Sequence, residues 1–134
     1  HVAFTVDLRH PIEEKMIEMD KEVVRRLTAV AEEVSIAIEM KKVSDVPKID
    51  FDIDCINAIR DAAAALNLPA REIVSGAGHD AMYLSTVAPA SMIFVPCENG
   101  LSHNEAEAAN ASDLAAGCDV LLHAMLSSAE TANG

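Results

Sequence analysis

Aromatic residues are scarce in this sequence: they make up 3% of the 134 residues, and tryptophan is absent. Leucine, isoleucine, valine, methionine and small residues must therefore fill any core. Basic residues are also few, 10 against 22 acidic ones, which gives a formal net charge of −12. This balance argues against a nucleic-acid partner, because a phosphate backbone requires a basic face. The negative net charge is compatible with a small anionic ligand, because a single arginine side chain can bind it locally.

Cysteine is limited to Cys55, Cys97 and Cys118, an odd number without the spacing of a metal site. We interpret them as reduced thiols of a cytoplasmic protein. For Cys97, which lies near His103 in sequence, a reactive or metal-binding role competes with that of a small half-buried residue, and we favour the latter. We find no apolar run as long as a membrane span and no signal peptide. The sequence opens inside a strand pattern, so we expect a fragment of a longer chain.

The hydrophobic pattern predicts an α/β fold in two parts. Residues 2–8 and 36–41 alternate with period two, as strands do, and they flank an amphipathic helix over 12–34. We predict two further strands at 71–74 and 92–95, the second buried on both faces, and helices over 53–66, 79–87 and from 112 onward. The predicted apolar stripe of the last helix comprises Leu114, Cys118, Leu121, Met125 and Leu126. A connector containing Pro47 places the domain boundary between residues 1–45 and 46–134.

Three polar side chains in this pattern are candidates for chemistry. Arg9 shares the mixed face of the first predicted strand with Asp7, so it forms either a surface ion pair or a carboxylate-binding fork in a cleft. His79 follows a Gly-Ala-Gly turn, where backbone can approach a ligand closely. His103 lies in a polar loop after an apolar run, a position favoured by catalytic and metal-binding groups. Without further information, an ion pair, a helix-capping histidine and an ordinary loop histidine are the simpler interpretations.

The sequence resembles the hydantoinase/carbamoylase family of metal-dependent amidohydrolases. That family includes N-carbamoyl-L-amino-acid hydrolases, allantoate amidohydrolases and β-ureidopropionases. The motifs that carry the resemblance extend along nearly the whole chain, and their order and spacing also fit. They are Phe4-Thr5-Val6-Asp7-Leu8-Arg9-His10-Pro11, Ser75-Gly76-Ala77-Gly78-His79-Asp80-Ala81, Met92-Ile93-Phe94-Val95-Pro96, and Gly100-Leu101-Ser102-His103-Asn104 with Glu107.

The resemblance implies a role for each matching residue. Arg9 would bind the substrate carboxylate, and His79 would hydrogen-bond the scissile carbonyl or the oxyanion formed from it. Backbone N–H groups around Gly78 would add a donor to the same substrate group. His103 would bind Zn²⁺ or Mn²⁺ in a two-metal centre, with Glu107 as a partner that orients it. The implied fold is half of a lid and dimerisation domain, followed by the C-terminal part of a catalytic domain.

The remaining metal ligands and the general base of that family have no counterpart here. We therefore expect this chain alone to be inactive, and the whole enzyme to hydrolyse a carbamoyl or ureido C–N bond of a small carboxylate substrate. The resemblance also implies a homodimer formed through the lid domain. Two alternatives stay open: an aminoacylase or exopeptidase of the same clan, and a non-catalytic dimerisation or binding module.

Overall fold

The computed structural model describes residues 1–131 as a set of helices joined by irregular segments. The helices are α1 (Glu13–Glu33), α2 (Ile53–Ala65), α3 (Asp80–Leu84) and α4 (Ala111–Thr131), and Glu98–Gly100 forms one 3₁₀ turn. These residues group into two units. Unit 1 comprises residues 1–49 and 74–77, and unit 2 comprises 50–73 and 78–131. The assignment of residues 1–45 to a lid domain and of 46–134 to a catalytic domain stays a prediction.

The strands predicted at 2–8, 36–41, 71–74 and 92–95 are wrong for this structure, since residues 1–131 form no β-strand. An alternating sequence becomes a strand only when a neighbouring strand accepts and donates its backbone hydrogen bonds. No such neighbour lies among the described residues, so the strand-helix-strand lid is not confirmed. The apolar side chains of residues 2–8 are also poorly buried: Val2 is 89% and Phe4 is 68% exposed.

In unit 1, α1 begins and ends where its sequence predicts. Glu13 and Glu14 lie in the first turn, where carboxylates favour the positive end of the helix dipole. Glu22 pairs with both Arg25 and Arg26 one turn further along the helix, and these bonds lower the pKa of the Glu22 carboxyl to about 2. After the helix, Ser35 adopts a left-handed backbone with φ of 54°. The chain therefore leaves the helix axis at that residue.

Unit 2 is built on the contact between α2 and α4. Ala62 and Ala63 of α2 are buried against Val120 and Ala124 of α4. Small side chains on both surfaces let the two helix backbones come close together. Ile93, from the segment between α3 and the 3₁₀ turn, packs on the same cluster. This contact therefore fixes the segment that leads to His103.

The predicted apolar stripe of the last helix is wrong in its orientation. Val120 and Ala124 face α2, whereas Leu121 is 50% and Met125 is 61% exposed. A helix that is apolar on several faces carries no sequence signal for the face that packs, so the neighbouring helix decides it. Within residues 1–131, no helix combines the length and apolar character that crossing a membrane requires.

The segment 92–95 is not buried on both faces, contrary to the sequence-based expectation. Ile93 packs on the α2–α4 cluster, but Phe94 is 44% exposed. The alternation of inward and outward side chains persists here without a sheet, because one side of the segment rests on helices and the other is open. Phe94 is therefore available to contact residues outside the core.

We predict that Gly117→Ala destabilises unit 2, although alanine normally favours a helix over glycine by about 1 kcal/mol. A Cβ placed on Gly117 would lie 2.6 Å from Val95 Cγ1, so that the Val95 side chain or its segment would have to shift. Thermal unfolding should show a lower midpoint for Gly117→Ala. Adding Val95→Ala should recover part of that loss, and a higher midpoint in the single variant would contradict the close contact.

The N-terminal cap of α2 gives a prediction with a defined pH dependence. Asp52 accepts hydrogen bonds from Asp54 N at 3.0 Å and Cys55 N at 2.9 Å, as its sequence position predicts. The bond from the Cys55 N–H lowers the pKa of the Asp52 carboxyl. The stabilisation by the charged cap is thus complete above the ordinary carboxyl pKa and is lost as pH falls through the lowered one.

The matched variants Asp52→Asn and Asp52→Ala separate charge from hydrogen bonding. Asn retains the acceptor but not the charge, so its unfolding midpoint should lie below that of wild type at neutral pH and approach it in acid. Asp52→Ala should be the least stable variant at neutral pH. A constant difference between wild type and Asp52→Asn from neutral to acid pH would show that the carboxylate charge contributes nothing.

Candidate functional site

The side chain of Arg9 is held from two directions within unit 1. Its Nε and Nη2 donate to the Asp7 carboxylate, the latter at 2.5 Å, and its Nη1 donates to the Gly76 carbonyl oxygen at 2.6 Å. Asp7 raises the pKa of Arg9, while the Arg9 hydrogen bond lowers the pKa of the Asp7 carboxyl. The ion pair considered from the sequence thus exists, and Arg9 also contacts Gly76 in the turn that begins at Ser75.

These contacts leave part of the Arg9 guanidinium accessible. Five N–H groups are present on the side chain, and the bonds to Asp7 and Gly76 use one on each nitrogen, so one remains on Nη1 and one on Nη2. The Arg9 and Asp7 side chains are both 61% exposed. The arrangement can therefore present two N–H donors to a carboxylate while Asp7 fixes the plane of the guanidinium.

The turn before His79 is ordered by a side chain. Ser75 Oγ donates to the Ala77 carbonyl at 3.1 Å and accepts from Ala77 N at 3.2 Å. Neither Gly76 nor Gly78 has a positive φ, so left-handed backbone does not explain these glycines. A Cβ at Gly76 would meet no atom within 4 Å, and one at Gly78 would touch only Met82 Sδ at 3.6 Å. The open space beside Gly76 leaves its backbone accessible.

His79 lies at the start of α3 and contacts two other rings. It occupies the N-cap position, but its side chain makes no capping hydrogen bond. Its ring centroid lies 5.6 Å from that of Phe94 and 6.0 Å from that of His103, with edge-to-face geometry in both cases. The structure therefore does not support the interpretation of His79 as a side-chain cap. It brings together two histidines that lie 24 residues apart in the sequence.

His103 is exposed on a loop and has a left-handed backbone, with φ of 54°. Within residues 1–131, neither of its ring nitrogens forms a hydrogen bond to protein, so one is available to a metal ion. The same residues contain no group of three or more histidine, cysteine, aspartate or glutamate side chains arranged to hold a metal. The chemistry of His103 thus fits a single ligand, and further ligands would have to come from elsewhere.

Cys97 is the thiol closest in sequence to this histidine pair. Its Sγ lies 3.7 Å from Glu107 Oε1. Desolvation and the nearby Glu107 carboxylate raise the pKa of the Cys97 thiol. A raised pKa suppresses the reactive thiolate, so the structure favours the half-buried thiol over a reactive one. All three cysteines are unpaired.

Two features of this region were not evident from the sequence. Phe94 was predicted to be buried, yet its ring contacts His79. Glu107 contacts the backbone N–H of His103 instead of its ring. The apolar run 92–95 predicted burial on both faces, so nothing in the sequence indicated that Phe94 faces outward. An open depression of about 230 Å³ in unit 2 is separate from these residues and is lined by Asp50, Asp52, Ser85, Ala88, Pro89 and Ala90.

Residues 3–127 match the family described as peptidase family M20/M25/M40. Because this match spans nearly all of the sequence, the chain belongs to that family. The resemblance to hydantoinase/carbamoylase enzymes is confirmed by comparison with individual proteins. An N-carbamoyl-L-amino-acid amidohydrolase from Rhizobium meliloti is 40% identical over 129 residues, which is 96% of this chain and 31% of that protein.

Two further comparisons point the same way. An allantoate amidohydrolase from Escherichia coli K12 is 31% identical over 119 residues, covering 89% of this chain and 29% of the relative. A crystal structure of a hydantoinase/carbamoylase family amidase from Burkholderia multivorans superposes with a TM-score of 0.83 and 43% identity, over 88% of this chain and 29% of that one. The chain thus spans roughly a third of the length of the relatives that it matches.

Proposed function

We propose that this chain is part of an amidohydrolase that cleaves a carbamoyl or ureido C–N bond of a small carboxylate substrate. The observation that carries the proposal is the pairing of His79 and His103, with ring centroids 6.0 Å apart, on two of the motifs that carry the family resemblance. N-Carbamoyl amino acids and allantoate are the substrate classes that the names of those relatives indicate. Both classes offer a carboxylate and a polarisable carbonyl.

Arg9 recognises the substrate carboxylate in this proposal. The guanidinium is already fixed by Asp7 and Gly76, and it retains one N–H on each terminal nitrogen. Two parallel, charge-assisted hydrogen bonds to a carboxylate provide both affinity and orientation. The exposure of the side chain is compatible with this role, because a binding group must reach its ligand.

His79 acts on the reacting carbonyl. Its side chain makes no capping bond, so an N–H of its ring is available to donate to the carbonyl oxygen or to the oxyanion that develops from it. Contact with the Phe94 ring restricts the orientation of the imidazole. The N–H of Gly78, one residue earlier, supplies a second donor in the proposal. Donors fixed before the reaction need no reorganisation as charge develops.

His103 contributes one ligand to a divalent metal, zinc or manganese, in a two-metal centre. Such a metal supplies Lewis-acid polarisation and activation of water when it is bound. The ring nitrogens of His103 form no hydrogen bond within residues 1–131, which supports this role. Because those residues hold no group of three candidate ligands, the chain by itself is inactive in this proposal.

The wider assignments belong to the same proposal. Residues 1–45 form part of a lid domain through which two copies pair, and the exposed Val2, Phe4 and Ile36 support a covering partner for this unit. Unpaired cysteines support a reducing, cytoplasmic location. The formal charge of −12 supports a small-molecule substrate in place of nucleic acid.

An aminoacylase or exopeptidase is the second candidate, because the matched family is described as a peptidase family. The named relatives favour the carbamoyl substrate instead. A panel containing an N-carbamoyl amino acid, allantoate, an N-acetyl amino acid and a dipeptide, assayed with the whole protein, distinguishes the two. Hydrolysis of only the last two substrates would replace the proposed activity, and absence of all hydrolysis would favour a binding module.

Replacing Arg9 should lower kcat/KM mainly on substrates that carry a free carboxylate. In the whole protein, Arg9→Ala should lower kcat/KM on the acid substrate by about ten- to a hundredfold, since a hydrogen bond between charged groups is lost. The loss should be much smaller on an analogue whose carboxylate is an amide. Arg9→Lys should recover little, because an ammonium group lacks the planar fork. Steady-state kinetics on both substrates provides the measurement.

Arg71→Ala is the matched control for this comparison, because Arg71 is exposed and belongs to unit 2. It should leave kcat/KM unchanged on both substrates. Equal losses on the acid and the amide in Arg9→Ala would mean that Arg9 does not contact the carboxylate. The Asp7–Arg9 pair would then be a surface ion pair only.

Replacing His103 should reduce metal binding. His103→Ala in the whole protein should lose at least part of the bound zinc or manganese, because one ligand of the centre is removed. His123→Ala, which removes an exposed histidine of α4, should retain the wild-type metal content. Elemental analysis after dialysis measures both variants. Wild-type metal content in His103→Ala would exclude His103 as a ligand.

A further inference from the structure

The backbone of His103 adopts a conformation that is uncommon outside glycine. Its φ of 54° lies in the left-handed region, where the Cβ of an ordinary residue approaches the neighbouring carbonyl oxygen. Residues other than glycine adopt this conformation uncommonly, and asparagine, aspartate and histidine adopt it more often than the rest. One group in contact with His103 can hold this backbone in place.

That group is the carboxylate of Glu107. His103 N donates to Glu107 Oε2 at 2.9 Å. Two shorter-range bonds close the same loop: Glu107 N donates to Asn104 O at 3.0 Å, and Ala106 N donates to Asn104 Oδ1 at 2.9 Å. The turn 104–107 thus brings the Glu107 side chain back to His103, the residue that precedes the turn.

The second carboxylate oxygen of Glu107 contacts Cys97, at the N-terminal end of the loop. The Cys97 thiol lies 3.7 Å from Glu107 Oε1, and Glu98 N donates to Ala108 O at 2.7 Å beside it. Glu107 therefore bridges residue 97, which follows the segment packed on the core, and His103. The remaining carboxylates of the loop, those of Glu98 and Glu105, form no hydrogen bond to His103 within residues 1–131.

This contact differs from the usual support of a histidine ligand. A carboxylate near such a histidine commonly accepts the ring N–H and fixes the tautomer. Here the carboxylate accepts the backbone N–H, and both ring nitrogens stay without a protein partner among the described residues. Glu107 thus restrains where the Cα of His103 lies and which way its side chain leaves the backbone, without occupying a ring nitrogen.

We propose that Glu107 is a positioning residue that fixes the left-handed backbone of His103 through the His103 N–H, and so presents its imidazole to a divalent metal beside His79. This inference rests on the proposed role of His103. The side chains involved are exposed, so the bond contributes little to overall stability. The bond instead determines the local geometry of one proposed metal ligand, His103.

The test compares Glu107→Ala, Glu107→Gln and the control Glu105→Gln in the whole protein. Glu105 lies in the same loop but does not contact His103 within residues 1–131. The substitution Glu105→Gln therefore removes the same charge as Glu107→Gln and leaves the His103 contact intact. Glu107→Ala loses the acceptor, so Zn²⁺ affinity measured by calorimetry should fall about ten- to a hundredfold, as for other residues that orient a ligand. Glu107→Gln retains an amide oxygen that accepts the N–H, and it should bind Zn²⁺ much as wild type does.

A second measurement reports on the backbone conformation of His103 in the absence of metal. In the metal-free protein, the His103 amide should be protected from hydrogen exchange, and its HN–Hα coupling should report the left-handed φ. Both signatures should disappear in Glu107→Ala and persist in Glu107→Gln and Glu105→Gln. Thermal unfolding should show equal midpoints for all three variants, because the contact is local.

Each outcome distinguishes this inference from the proposed function. Retention of the His103 signatures in Glu107→Ala would overturn the positioning role. Equal loss of Zn²⁺ affinity in Glu107→Gln and Glu107→Ala would also overturn it, since charge would then matter and not the accepted N–H. A wild-type protein that binds no Zn²⁺, yet loses the backbone signatures in Glu107→Ala, would refute the metal role of His103 while upholding the control of its backbone by Glu107.

Discussion

Close contact between two helix surfaces lined by small residues organises unit 2. Ala62 and Ala63 of α2 meet Val120 and Ala124 of α4, and these residues account for most of the side chains that are buried in the described part of the chain. Ile93 packs on the same cluster, and Gly117 lets Val95 approach α4. The position of the histidine loop therefore depends on how closely the two helices can come together.

A series of short contacts connects the helix pair to the residues of the site. The segment anchored by Ile93 presents Phe94 to His79, and two residues after Val95 the Cys97 thiol reaches Glu107. Glu107 in turn accepts the N–H of His103. A displacement of the segment against the core would thus reach His79 through Phe94, and His103 through Cys97 and Glu107.

Large apolar side chains are exposed in both units of the described part of the chain. Leu121 and Met125 of α4 are at least half exposed, and so are Val2 and Phe4 of the first segment. A helix that is apolar on opposite sides is typical of an element packed between two layers. The exposed apolar face of α4 is therefore suited to contact a second apolar surface in addition to α2.

The sequence by itself determined the local features of this protein. The helices α1 and α2 and the Asp52 cap were predicted because side-chain periodicity and capping act over a few residues. The tertiary structure alone decided the rest. The predicted strands failed because a strand needs a hydrogen-bonded neighbour, and the packing face of α4 was misassigned because more than one face is apolar. The local sequence marked His79 and His103 as candidates, but only the resemblance assigned their roles. Their contact, and the bond from the His103 backbone to Glu107, depend on residues that the fold brings together.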